Sequence, residues 1–174
     1  MPASAAPALD ASTTRPYLLF QMRNARSLTV GEIVLARSIF GDSIDYSRVR
    51  IVRGRWWPLQ PRGIVMAPTG NIHFHPADPR WSNDFAAESL AAQGLFIHEM
   101  THVWQAQRHG KYYLPLMRHP FCRYGYQLRI GRRFDRYGLE QQAEIVRHRF
   151  LADRGATVPQ ICDRELLPFE GIVT

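Results

Sequence analysis

Lysine is almost absent from this chain. Lys111 is the only one, so 21 of the 22 basic side chains are arginine, and 15 acidic residues leave a formal charge of +7. That balance admits a nucleic-acid or membrane partner. However, the arginines are spread from Arg15 to Arg164 with no run longer than Arg132-Arg133, which argues for a solvated cationic surface and against nucleic acid. Cysteine is also scarce. Cys122 and Cys162 stand far apart and outside any CxxC pair, which leaves free thiols or one bridge and removes them as zinc ligands. No stretch approaches the ~20 apolar residues of a membrane span. Residues 1–16, rich in Ala, Ser, Thr and Pro, lack the basic and apolar regions of a secretory signal and read as a disordered leader. The expectation is cytoplasmic synthesis, with export left to a dedicated secretion machine. The remaining 17–174, in a chain that is 45% apolar and 11% aromatic, suit one compact domain.

Against these absences stands one dense motif, His98-Glu99-Met100-Thr101-His102. At 3.6 residues per turn, His98 and His102 leave one face of a helix and can share a Zn²⁺ through their ring nitrogens. Glu99, about 100° further round, is placed to take a proton from water rather than to complete the metal shell. Asp84 or Asn83 is expected to cap a helix beginning near Phe85 and closing at Gly110. Between Leu95 and Trp104 its only polar side chains are His98, Glu99, Thr101 and His102, so the helix reads as buried nearly all round. Buried ionisable groups need partners, and one cation serves all three. The rival explanation, two hydrogen-bonded core histidines and a satisfied glutamate, needs separate compensation for each.

A catalytic zinc takes a third protein ligand and keeps one position open. Residues 137–148 read as a second helix, with Leu139, Ala143, Val146 and Phe150 on its apolar side and Glu140 and Glu144 one turn apart. Glu140 is the expected third ligand and Glu144 the acceptor for a ligand histidine N–H. His119 and His148 compete for the third place, whereas His109 fits the solvated helix end.

Upstream, Thr29-Val30-Gly31-Glu32 is a capping box opening a helix to about Phe40, ended by Gly41. Arg48 to Arg53 alternates as a strand with one basic outer face. Ile64–Ala67, a Pro68–Asn71 turn and Ile72–His75 suggest a hairpin. Its second strand, Ile72-His73-Phe74, is expected to form a sheet edge that pairs with an extended peptide or protein substrate, with His73 and His75 exposed. For the donor that a tetrahedral intermediate requires, the downstream aromatics offer Tyr113 or Tyr137.

The HExxH and ExxA[DE] pair resembles the gluzincin pattern of zinc metallopeptidases. That resemblance implies His98, His102 and Glu140 as ligands of one zinc, Glu99 as general base and Glu144 as the supporting carboxylate. Glu144 departs from the more usual aspartate. Phe40-Gly41-Asp42, residues 46–51, Asn71–Phe74 and His98–Gln105 also resemble, in order, the compact zincin-like core domain found beside contractile injection systems and in Vgr-related proteins. Over roughly residues 28–154 this resemblance implies a minimal α+β gluzincin: a helix, a small mixed sheet with an edge strand, the active-site helix and the glutamate helix. Two functions outside that reading stay open. One is a zinc-holding scaffold or adaptor linked to a contractile secretion or injection system. The other is a SprT-like, nucleic-acid-associated protease, a family that uses a third histidine where this chain offers Glu140.

Overall fold

A computed structural model of the chain describes residues 24–110, 113–117 and 124–169. The leader proposed for residues 1–16, together with His119 and Cys122, lies outside them. Among the described residues the fold is α+β: a three-stranded mixed sheet and four α-helices. The strands are β1 (Ala25–Ser27), β2 (Arg50–Arg53) and β3 (Ile72–Phe74). The helices are α1 (Val30–Phe40), α2 (Leu90–His109), α3 (Tyr113–Met117) and α4 (Leu139–Ala152).

Helix α1 starts as its sequence dictates. Thr29 accepts from Glu32 N, the Glu32 carboxylate accepts from Thr29 N, and Gly41 closes the helix at φ 54°. Glu32 does more than cap. Fully buried, it also takes a two-pronged bond from Arg26 (2.7 and 2.8 Å) and the Phe85 amide (2.9 Å). One carboxylate thereby ties β1, α1 and the approach to α2 together. Breaking such a buried pair from one side costs about 3–5 kcal/mol.

The sheet departs from the expected hairpin. β2 pairs antiparallel with β1 and parallel with β3, in the register Ile51↔Ile72. The first half of the expected hairpin contributes only a bridge between Met66 and His73. Gln60 organises the long crossover from β2. Its carbonyl oxygen accepts from Trp56 N at 2.7 Å, while its amide donates to Ile64 O at 2.7 Å and His73 O at 3.1 Å. The outward backbone groups of His73 are thus already used, by Met66 in both directions (2.7 and 3.1 Å) and by Gln60. The side chains of Ile72, His73 and Phe74 are all buried, as is His75. The expectation of exposed histidines on a free, substrate-pairing edge is corrected accordingly. Likewise, Tyr46–Arg48 forms a 3₁₀ turn, and Val52 is buried beside Ile51 rather than alternating outward. β2 lies between two strands, with Arg50 half-buried and Arg53 exposed at its two ends.

The long helix also begins later than its sequence suggested. Asp84 caps a separate 3₁₀ turn, Phe85–Ala87, and Ser89, five residues after Asp84, caps α2. Gly110 closes α2 as expected. Phe74, Phe85 and Phe96 stack in series at 5.4 and 5.6 Å, fastening β3, the turn and α2 into one core. Helix α4 packs along α2, and Gly94 permits the approach. A Cβ there would stand 3.0 Å from Leu151 Cδ2 and 3.5 Å from Arg147 Nε. This crossing sets the histidines of one helix against the glutamates of the other.

Candidate metal centre

His98, Glu99 and His102 leave the buried middle of α2, where twelve residues, Gly94 and Phe96 to Ala106, are shielded from solvent. Glu140 projects from the first turn of α4 and is 1% exposed. One donor atom each from His98, His102 and Glu140 lies within 4.8 Å of the others. Both Nε2 atoms face the same oxygen, Glu140 Oε2, each at 3.3 Å.

What the far side of each ring does decides how those contacts are read. His98 Nδ1 lies 2.8 Å from Glu144 Oε1, an acceptor, so that nitrogen carries the hydrogen. His102 Nδ1 lies 2.8 Å from Gln105 Oε1. The Gln105 amide orientation is fixed, because its nitrogen donates to Gln142 Oε1 at 2.9 Å and Leu139 O at 3.2 Å. In a neutral ring each Nε2 therefore presents a lone pair to a carboxylate oxygen. Two acceptors facing each other in a buried place repel unless positive charge, a proton or a metal ion, lies between them. The spacing favours the ion. A charge-assisted N–H···O bond runs about 2.7–2.9 Å, whereas donors ~2.0–2.1 Å from a tetrahedral ion stand about 3.4 Å apart. The donor set thus fits a divalent metal.

Without one, protons take its place. Burial works against an imidazolium at His98, but hydrogen bonds to Glu140 and Glu144 and the charge of Glu99 outweigh it and hold its pKa up at about 9. Burial likewise works to raise the Glu144 carboxyl, and the bond to His98, with His98 and Arg147 charge beside it, holds it below the usual range. Glu144 also meets His148 Nε2 at 3.5 Å, and the other nitrogen of that ring bonds Tyr126 Oη at 2.6 Å. His148 therefore backs Glu144 and stands outside the cluster.

Glu99 is 5% exposed, and its Oε2 has no hydrogen-bond partner among the described residues. It reaches, with His98, a cavity of about 230 Å³ walled by Gly63, Ile64 and Val65 of the crossover on one side and by Arg80, Tyr124 and Arg147 elsewhere. Neither tyrosine expected from the sequence lines it. Tyr113 stacks on His109 at 4.4 Å beyond the end of α2. Tyr137 is buried under Arg132, its hydroxyl accepting from Arg129 N at 3.1 Å. The aromatic that the structure brings to the site is Tyr124, parallel to the His98 ring at 6.4 Å and 52% exposed. Gln105 was also overlooked, although its place three residues after His102 puts it on the same helix face.

Fold and site together define an α+β domain built around a buried His-His-Glu group that could hold a metal ion. No family model matches the chain. Over 133 residues, 72% of its length, it is 47% identical to the type VI secretion system spike protein VgrG2b of Pseudomonas aeruginosa, and it spans only 13% of that protein. The solved effector domain of P. aeruginosa VgrG2b superposes with a TM-score of 0.66 at 38% identity, covering 83% of this chain and 87% of the other. The chain belongs to the VgrG2b effector-domain family. That kinship agrees with the Vgr-related resemblance of the sequence. No helix among the described residues is long and apolar enough to cross a membrane, and the described cluster contains no third histidine of the SprT kind.

Proposed function

We propose that this domain is an effector linked to a type VI secretion system and that it hydrolyses peptide bonds of a protein substrate with one zinc ion. The observation that carries the reading is the convergence of two imidazole Nε2 atoms on one carboxylate oxygen, next to a buried glutamate with one oxygen unpartnered among the described residues. His98, His102 and Glu140 would hold the ion, and a His₂Glu set suits zinc. Bound there, zinc would supply Lewis-acid polarisation of a carbonyl and a water pKa lowered toward ~7.

The chain's own residues do the rest. Glu99 accepts the proton of the attacking water as the C–O bond forms, then gives it to the departing amine nitrogen as the C–N bond breaks, and ends ionised. Glu144 and Gln105 hold the two rings in the tautomer that turns Nε2 inward. Tyr124, at the cavity mouth beside His98, replaces Tyr113 and Tyr137 as the candidate donor to the developing oxyanion.

Kinship to a spike protein also supports a non-catalytic domain that keeps the metal as a staple, and the near-complete burial of His102 and Glu140 favours it. Glu99→Gln separates the two. Incubated with a mixed peptide library and read by mass spectrometry, the peptidase loses cleavage by 100-fold or more, on the order expected for a general base, while keeping its metal. A wild-type protein that carries zinc yet cleaves nothing supports the staple.

A further inference from the structure

Beside the cavity at His98 and Glu99 lies a second of about 520 Å³, floored by Trp81, Ala91 and Ala92. The two share Arg80, Leu95 and Arg147 among their lining residues, so they meet at a neck with two guanidinium groups. Together they form one groove along the first half of α2, with the metal-binding cluster at one end and an indole pocket at the other.

Both arginines are held in place yet, among the described residues, retain unused donors. Arg80 binds Asp78 through Nε at 2.9 Å and Nη2 at 2.7 Å, and the Asp78 carboxylate is fully buried. Arg147 makes one long contact, Nη1 to Glu144 at 3.2 Å, and its Nε is buried with no hydrogen-bond partner among the described residues. Packing against Gly94 sets where Arg147 lies. The acidic side chains of the groove are Glu88, held by Ser82 Oγ at 2.8 Å, Glu144, shared between His98 and Arg147, and Glu99, whose charge acts on Arg80. Planar guanidinium groups held by one carboxylate and still carrying free N–H bonds match a second carboxylate in geometry and charge.

Resting on the peptidase reading, we infer that the Arg80–Arg147 neck is a carboxylate subsite, so the substrate carries an acidic side chain or free terminal carboxylate a short reach from the scissile bond. The adjoining Trp81 pocket takes the apolar residue that follows. A role for Arg147 confined to steadying Glu144 is the competing explanation. It makes no distinction between an acidic peptide and its amide counterpart.

The test reads binding, so it stands apart from turnover. Zinc-loaded Glu99→Gln protein is titrated with fluorescein-labelled hexa-alanine peptides in which a single Glu is walked along the chain, and with the matching Gln series, followed by anisotropy. At one or two positions Glu is expected to bind about tenfold tighter than Gln, and in R80Q/R147Q the ratio falls to about one. Equal affinities in the two series, or no binding of the Glu series at millimolar concentration, overturns the subsite. Because the Glu/Gln comparison is made on a protein with both arginines intact, misfolding of the double variant cannot rescue it. The peptidase reading fails on a different result, absence of cleavage by the wild type.

Discussion

Gln105 Oε1 accepts from His102 Nδ1 at 2.8 Å, three residues back along the same helix, while its amide nitrogen reaches Gln142 and the Leu139 carbonyl on α4. One neutral side chain thus fixes the tautomer of a ligand and joins the two helices that build the site. Its counterpart on His98 is a carboxylate, Glu144 at 2.8 Å.

Replacing Gln105 by Ala leaves His102 Nδ1, Leu139 O and Gln142 Oε1 to find other partners in a buried place. Urea denaturation of the metal-free protein should register a loss of about 1–3 kcal/mol. Competition with a chromophoric chelator should show metal affinity lower by roughly 10–100-fold. An affinity unchanged from wild type would leave Gln105 a helix-to-helix tie and no more.

Metal and proton compete at His98. Its metal-free pKa is raised to about 9, so below that pH an incoming ion must displace a proton. Apparent affinity for cobalt(II), followed by its visible absorption, should rise about tenfold per pH unit between pH 7 and 9 and level off above. The same shift acts on folding. The imidazolium contributes stability to the metal-free protein below pH 6.5, the ordinary value, and that contribution is lost as pH rises through 9. A flat affinity profile would show that His98 is neutral before the metal arrives.

His73 has the opposite sign. Burial lowers its pKa to about 4, against a smaller upward pull from a hydrogen bond to the Gly54 backbone. The fold therefore holds the neutral ring, with full benefit above pH 6.5 and a progressive loss as pH falls toward 4, up to about 3 kcal/mol. Chemical denaturation of wild type and His73→Gln across pH 4–7 measures the difference. If both proteins lose stability equally over that range, the acid sensitivity lies in another group.

The crossing of α2 on α4 depends on the absent side chain at Gly94. Gly94→Val puts branched carbon where a Cβ alone would already stand 3.0 Å from Leu151 Cδ2. A cost of about 1–3 kcal/mol follows from overpacking, with weaker metal binding as Glu140 and Glu144 are pushed from the histidines. A variant as stable as wild type would mean that Leu151 simply turns aside.

The centre of the site was legible in the sequence because helical periodicity carries it. His98 to His102 and Glu140 to Glu144 are local spacings, and placing one helix against the other completes the cluster. The misread parts depend on contacts that no spacing encodes. β3 pairs with β2 in parallel on one side and on the other keeps only the Met66–His73 bridge of the expected hairpin. Asp84 caps a turn rather than the helix because Ser89 supplies a second cap five residues on. Tyr124 comes from a segment 14 residues beyond the Gly110 that ends α2 and reaches His98 only through the fold. By contrast, Gln105 was within reach of the helical rule applied to His and Glu.

The measurement closest to the central claim is elemental analysis of purified wild type and Glu140→Ala. The account predicts one zinc per wild-type chain and its loss, or a strongly reduced content, in the variant, with the fold retained by circular dichroism. A wild type that takes up no divalent metal from zinc-supplemented buffer would contradict the account. His98, His102 and Glu140 would then form a proton-bridged polar network inside the fold.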